Sequence, residues 1–344
     1  MSPGAPAGAA ASVDSRADDY AGALPSSVAL PPATLRALSR LDPLRTWAHI
    51  AGEWIAIAAA VALCERFFHP ALYVVAVLWI GARQHALGIL MHDGAHRRLF
   101  KSRLLNDVVS EALLAWPIFL TTAAYRRTHF AHHRHVNTDD DPDFVRKRTD
   151  AWRFPKSRRD LARLLLKDAL GLSLPQWVLM VLALSGLVPA AERRETLRAR
   201  GPLVARIAYY GAALAAIAGL GVSREVLLYW LVPQWTWFMV IMHVRSIAEH
   251  FAVENDDVLT ITRTTYPSLL ERLFVCPKNV NYHLDHHLYP SVPFYRLPDL
   301  HARLLESEAF RERAHVTRTY LGVLRECTGA RRAAGGRSEA STRT

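Results

Sequence analysis

The sequence predicts an all-α integral membrane protein: about four transmembrane helices, interfacial helices between them, and a cytosolic helical cap that carries three histidine motifs. Three observations predict it. Half of the 344 residues are hydrophobic, yet Lys and Arg outnumber Asp and Glu by 42 to 31. The apolar residues are grouped in blocks of bilayer length separated by basic connections. Eight of the 16 histidines fall into three short motifs, placed at or near the ends of those blocks.

In chain order, residues 1–40 begin as an Ala/Gly/Pro/Ser-rich stretch with Asp14, Asp18 and Asp19. It has neither the basic start nor the apolar core of a signal peptide and is expected to be a disordered cytosolic tail. The main domain is expected over 45–325, and 326–344 forms a second unstructured tail. Apolar stretches at 48–66, 70–91, 203–221 and 226–244 are long enough to span a bilayer. Two more are ambiguous: 108–124 carries Glu111 and Pro117, and 173–190 is bounded by Pro175 and Pro189.

Parity decides between them. If the motifs share one centre, they share one side of the membrane, so an even number of crossings separates consecutive motifs. Both ambiguous segments must then lie in the interface or re-enter. Charge agrees. Arg97, Arg98, Lys101, Arg126, Arg127, Arg146, Lys147, Arg148, Arg193, Arg194, Arg198 and Arg200 all fall on one side, against Arg66 and Arg224 on the other. This places both termini and all three motifs in the cytosol.

The motifs are His92-Asp-Gly-Ala-His96, His129-Phe-Ala-His132-His133 and His283-Leu-Asp-His286-His287. Residues three and four apart share a helix face, so each motif can aim two or three imidazoles at one point. Imidazole suits iron, copper, zinc and nickel. Eight ligands are too many for one ion and suit two. Cys64, Cys276 and Cys327 are too few and scattered for a disulfide framework or a Cys-rich site. No nucleic-acid module accompanies the basic charge. The remaining histidines are assigned plainer roles: His49, His69, His301 and His315 at the surface or interface, His85 in packing, His135 beside the site, His243 structural.

Together, the three motifs and the stretches 129–144 (HFAHHRHVNTDDDPDF) and 281–290 (NYHLDHHLYP) resemble the membrane fatty-acid desaturase family, which also includes hydroxylases and ketolases. The likeness covers about residues 45–310. It implies that the eight motif histidines are ligands of two iron ions, with molecular oxygen as co-substrate. His250, in Arg245-Ser-Ile-Ala-Glu-His250, matches the position of a ninth ligand. His283 stands where front-end desaturases carry Gln, which argues against that branch. With no His-Pro-Gly-Gly haem signature, electrons must come from a separate donor such as a ferredoxin or cytochrome-type protein. The implied reaction is desaturation of a fatty acyl chain or related lipid in the bilayer. The alternative is hydroxylation or ketolation of a lipid, sphingoid base or carotenoid on the same scaffold, and a metal transporter or sensor stands further off. Asp93, Asp285, Glu249 and the run Asp139, Asp140, Asp141 and Asp143 are candidate partners for the far nitrogens of bound imidazoles. Asn279 and Asn281 are candidates to reach the centre through water.

Overall fold

The computed structural model describes residues 24–184 and 200–328. The ends of both expected tails, the last part of segment 173–190, and Arg193, Arg194 and Arg198 lie outside the described residues.

Among the described residues, four helices are long and apolar enough to cross a membrane: α2 (Pro43–Arg66), α3 (Pro70–Ala95), α9 (Arg200–Leu220, apolar from Leu203) and α10 (Ser223–His250). The starts of α2 and α3 are written in local chemistry. Asp42 accepts a hydrogen bond from the Arg45 amide and His69 Nδ1 one from the Ala71 amide, each followed by a proline at the first helical position. With 26 residues, α3 runs about 39 Å, longer than the ~30 Å of a hydrocarbon core. It is also the central helix, buried on every face from Ile80 to Leu87 and again from Ile89 to Ala95. A Cβ on Gly81 would lie 3.1 Å from Trp237 Cβ and Phe238 N, which is where α10 crosses it.

The segment containing 108–124 is neither a straight span nor a surface helix. It forms α4 (Arg103–Ile118), then α5 (Thr122–His135), bent by 93° relative to each other. A π-turn at Ser110–Ala115 loosens the end of α4, and Phe119 adopts a left-handed φ of 62° at the corner. Glu111 caps the start of α5, accepting from the amides of Thr122 (3.1 Å) and Ala123 (2.9 Å). Arg126 on α5 reaches back to Asp107 on α4 at 2.6 Å. The pair is thus tied together across its corner. Glu111 and Pro117, which obscured the segment in sequence, are the residues that build the corner.

Short helices complete the cap: α6 (Pro142–Arg146), α7 (Arg158–Ala169), α8 (Leu174–Leu184), α11 (Leu269–Phe274), α12 (His283–Leu288), α13 (Leu297–Leu304), α14 (Glu308–Arg313) and α15 (Tyr320–Glu326). A two-stranded parallel pair, β1 (Thr264–Tyr266) with β2 (Val316–Arg318), is set among them.

The N-terminal boundary needs correcting. Residues 24–40, expected to be tail, contain a turn at Ser26–Val28 and α1 (Pro32–Leu38). Val28 and Leu38 are buried. Tyr289 Oη donates to the Val28 carbonyl and accepts from the Leu30 amide, both at 2.8 Å. The Asp42 amide donates to Tyr295 Oη, also at 2.8 Å. The segment is thus fastened to the chain after the third motif, more than 250 residues away, where the Ser26–Val28 turn also packs against α14. At the other end, order extends past 326, with Cys327 fully buried under α15.

Candidate metal centre

The four elements that carry the motifs meet at one place. The first motif ends α3, the second fills the last turns of α5, His250 ends α10, and the third occupies α12. Nine buried histidines converge there in two groups. His92, His96, His129, His133 and His286 form one, and His132, His250, His283 and His287 the other. Within each group, one ring nitrogen per residue lies within 4.8 Å of the rest. His129 Nε2 stands 2.9 Å from His96 Nε2 and 3.0 Å from His133 Nε2, and His286 Nε2 is 3.2 Å from His133 Nε2. In the second group, His283 Nε2 is 2.9 Å from His250 Nε2 and 3.0 Å from His287 Nε2.

The motifs do not each aim at a single point, as the sequence suggested. Both His-x-x-His-His motifs divide their residues. His129 and His133 join the five-histidine group while His132 joins the other; His283 and His287 join the four-histidine group while His286 crosses over. Helix geometry accounts for this. At about 100° per residue, positions i and i+4 lie 40° apart while i+3 lies 60° away on the other side. The stacked rings of His133 and His287, 4.2 Å between centroids, bring the two groups side by side.

Nitrogen lone pairs packed this closely repel unless protons or a cation lie between them, and protons are disfavoured. Burial above all, then the neighbouring imidazoles, hold His283, His286 and His287 well below the ordinary histidine pKa. His132 Nδ1 faces Asp141 Oδ2 at 2.8 Å. Burial works against the Asp141 charge, but the His132 contact and the amides of Asn137 and Asp143 outweigh it and hold its pKa below the carboxylate norm. An ionised Asp141 places the His132 proton on Nδ1 and leaves the Nε2 lone pair facing the group. Nε2 of His92 is buried with no hydrogen-bond partner among the described residues. Neutral imidazoles, inward lone pairs and an orphaned ring nitrogen fit two imidazole-bound metal ions.

The candidate partners divide. Asp93 Oδ1 and Glu249 Oε1 each lie 3.5 Å from Nδ1 of His92 and His283. The other oxygen of Asp93 accepts from the Phe294 amide at 2.9 Å, tying the first motif to the loop after the third. Asp285 turns away from the centre, accepting from Thr264 Oγ1 (2.5 Å) and paired with His301 Nδ1 (2.6 Å). His301, expected at the surface, is buried between Asp285 and Tyr266. Asp139 and Asp140 are exposed and Asp143 pairs with Lys147, so only Asp141 of the acidic run touches a motif histidine. His135 is exposed rather than beside the site. Asn281 braces β1 through the Thr265 carbonyl and Asn279 binds the Phe294 carbonyl. His85 packs against Phe238, and His243 pairs with Asp168 under Trp152.

Some positioning groups were missed. Tyr125 stacks on His129 with its Oη 3.3 Å from Nδ1. Its place four residues before His129 on one helix was a usable signal. Arg126 and Arg263, which hold helix ends near the centre, carry no local signal, because their targets are backbone carbonyls remote in sequence.

Comparison with known proteins agrees with the geometry. A 259-residue stretch is 29% identical to dihydrorhizobitoxine desaturase of Bradyrhizobium elkanii, covering 72% of each chain. Over 266 residues the chain is 26% identical to the sphingolipid delta(4)-desaturase/C4-monooxygenase of Homo sapiens, covering 77% of this chain and 75% of that one. A shorter stretch of 127 residues is 32% identical to beta-carotene ketolase of a Paracoccus species, covering 35% of this chain and 48% of the relative. The family model for fatty acid desaturases matches residues 68–320, which takes in α3 to α14 and all nine converging histidines. With its fold, its histidine centre and most of its length accounted for in this way, the chain belongs to the fatty acid desaturase family.

Proposed function

We propose that the protein desaturates a fatty acyl chain or related lipid at two iron ions held by His92, His96, His129, His133 and His286 on one side and His132, His250, His283 and His287 on the other. The observation that carries this is the convergence of nine buried imidazoles into two adjacent groups, His92, His96 and His250 coming from the ends of the membrane-length helices α3 and α10. Iron bound there, with molecular oxygen, supplies the oxidising power that an unactivated C–H bond requires.

The chain's own residues do the rest. The imidazoles offer uncharged donors, and Asp141 keeps the His132 proton on the outward nitrogen. Asp93 fixes the first motif to the Phe294 loop, so that α3 and the cap hold one another in register. The surrounding spans are apolar and deliver a lipid chain laterally. The centre and both termini face the cytosol, where basic residues outnumber those of the opposite loops. A separate acidic donor of the ferredoxin or cytochrome type docks on that basic face.

A second reading, insertion of oxygen on the same scaffold, draws on the printed names of two relatives, a desaturase/C4-monooxygenase and a ketolase. Product mass separates the two, since desaturation removes two hydrogens and hydroxylation adds one oxygen. The first experiment is elemental analysis with Mössbauer spectroscopy on iron-57-grown, detergent-purified protein. About two coupled irons per chain, reduced by His286→Ala, supports the reading; zinc alone, or no metal after reconstitution, ends it.

A further inference from the structure

His250 differs from its neighbours in how it is held. Its Nδ1 is buried and has no hydrogen-bond partner among the described residues, whereas His132 has Asp141 and His283 has Glu249 nearby. With no partner on Nδ1, the ring is set by the neighbouring imidazoles and by the backbone that carries it. That backbone is the last turn of α10, where the final carbonyls of a helix lack partners.

Arg263 supplies those partners. Its side chain is fully buried. One guanidinium nitrogen donates to the carbonyls of Ala248 (2.9 Å) and Phe251 (3.2 Å), with Ile247 O at 3.5 Å, and another donates to Ala252 O at 2.9 Å. The cation also meets the negative end of the helix dipole. It is anchored from behind by Glu326 Oε2 at 2.9 Å and by His315 Nε2, which accepts from Nε at 3.2 Å. The next two residues hold the third motif: Thr264 Oγ1 donates to Asp285, and the Thr265 amide donates to the Asn281 carbonyl at 2.9 Å. Three consecutive residues thus set the end of α10 against the start of α12, and between them lie His250 and His283. The same device recurs at α3, where Arg126 donates to the carbonyls of Gly94 (2.9 Å) and Ala95 (2.8 Å) within the first motif.

We propose that Arg263 is a positioning residue for the four-histidine group: its guanidinium fixes the helix end that carries His250, and through Glu326 it makes the completeness of that group depend on the C-terminal helix α15. The proposal rests on His250 being a metal ligand. Its experiment therefore includes a readout that needs no metal.

Arg263→Gln and Arg263→Lys are compared with wild type and His250→Ala, together with Glu326→Gln, which removes one anchor at a half-exposed position and leaves the cap carbonyls bound. Ferrous iron per chain is measured by elemental analysis and Mössbauer spectroscopy, and amide hydrogen exchange is followed over residues 247–252 in iron-free protein. Arg263→Gln is expected to drop from about two irons to about one, as His250→Ala does, and to speed exchange at 247–252 by about tenfold or more. Lys, with one donor group in place of a fork, restores the charge but not the second iron. Glu326→Gln shows the same exchange change in milder form, and it decides the matter if the Arg263 variants do not fold. Two irons and unchanged exchange in Arg263→Gln overturn the proposal. Unchanged exchange in Glu326→Gln overturns its link to α15. If wild type binds no iron, the ligand reading has failed, and the exchange result still judges the cap.

Discussion

Gly94 and Ser110 stand closer than two side chains allow: a Cβ on Gly94 would lie 2.1 Å from Ser110 Oγ and 2.6 Å from Ser110 Cβ. The glycine of the first motif is therefore a packing requirement, set by the approach of α4 to α3. Ser110 is in turn hydrogen-bonded to Thr122 at 2.8 Å, so the start of α5 shares the same contact.

Gly94→Ala should overpack this junction at a cost of about 1–3 kcal/mol. The melting midpoint in detergent falls, and iron binding weakens because His92 and His96 flank the displaced turn. Because both clashing atoms belong to the serine side chain, adding Ser110→Gly should recover most of the loss. A thermal melt of the two variants, with and without iron, checks both statements.

Asp141→Asn tests the proton arrangement on His132. Asparagine is as good an N-cap as aspartate, so α6 should survive. The lost carboxylate should weaken iron affinity by roughly 10–100-fold at the four-histidine position. Competition against a calibrated chelator measures it, and Asp140→Asn, at an exposed neighbour, should leave affinity unchanged.

Tyr125→Phe keeps the ring stacked on His129 and removes only the hydroxyl. The contact is long for a hydrogen bond, so a change of about threefold in chelator-driven iron loss is expected, smaller than for Asp141→Asn. Tyr125→Ala, which also removes the stacked ring, should lose iron faster still.

His301→Ala leaves Asp285 with one of its two partners and opens a cavity beneath α12. The expected destabilisation is about 2–4 kcal/mol. Because α12 supplies ligands to both groups, both irons should be lost together, in contrast to the single loss expected from Arg263→Gln. Iron content plotted against thermal stability for the two variants separates the cases.

Much of this architecture can be read from the chain because its signals are local. The four apolar stretches and the three motifs follow from runs of apolar residues and from spacings of three and four, while His250 comes only from the family resemblance. The sharp bend between α4 and α5 has no such local signal, because the contacts that build it, Glu111 on α5 above all, join the two sides of the corner. What stays hidden depends on pairs far apart in sequence. His301 looks like a surface residue until Asp285 and Tyr266 close around it. Residues 24–40 look like tail until Tyr289 and Tyr295 cover them. Arg263 gives no hint of its role, because what it recognises is another helix's backbone, and the division of each motif between two groups depends on where α5 and α12 dock.

That division has a consequence for how the protein matures. Since α5 and α12 each lend a residue to the neighbouring group, neither nest of nitrogens is finished until the middle and the end of the chain have both been made and docked. A chain cut before α12 would lack His286 from one group and His283 and His287 from the other. The interleaving thus makes completion of either group a report that α5 and α12 have both docked.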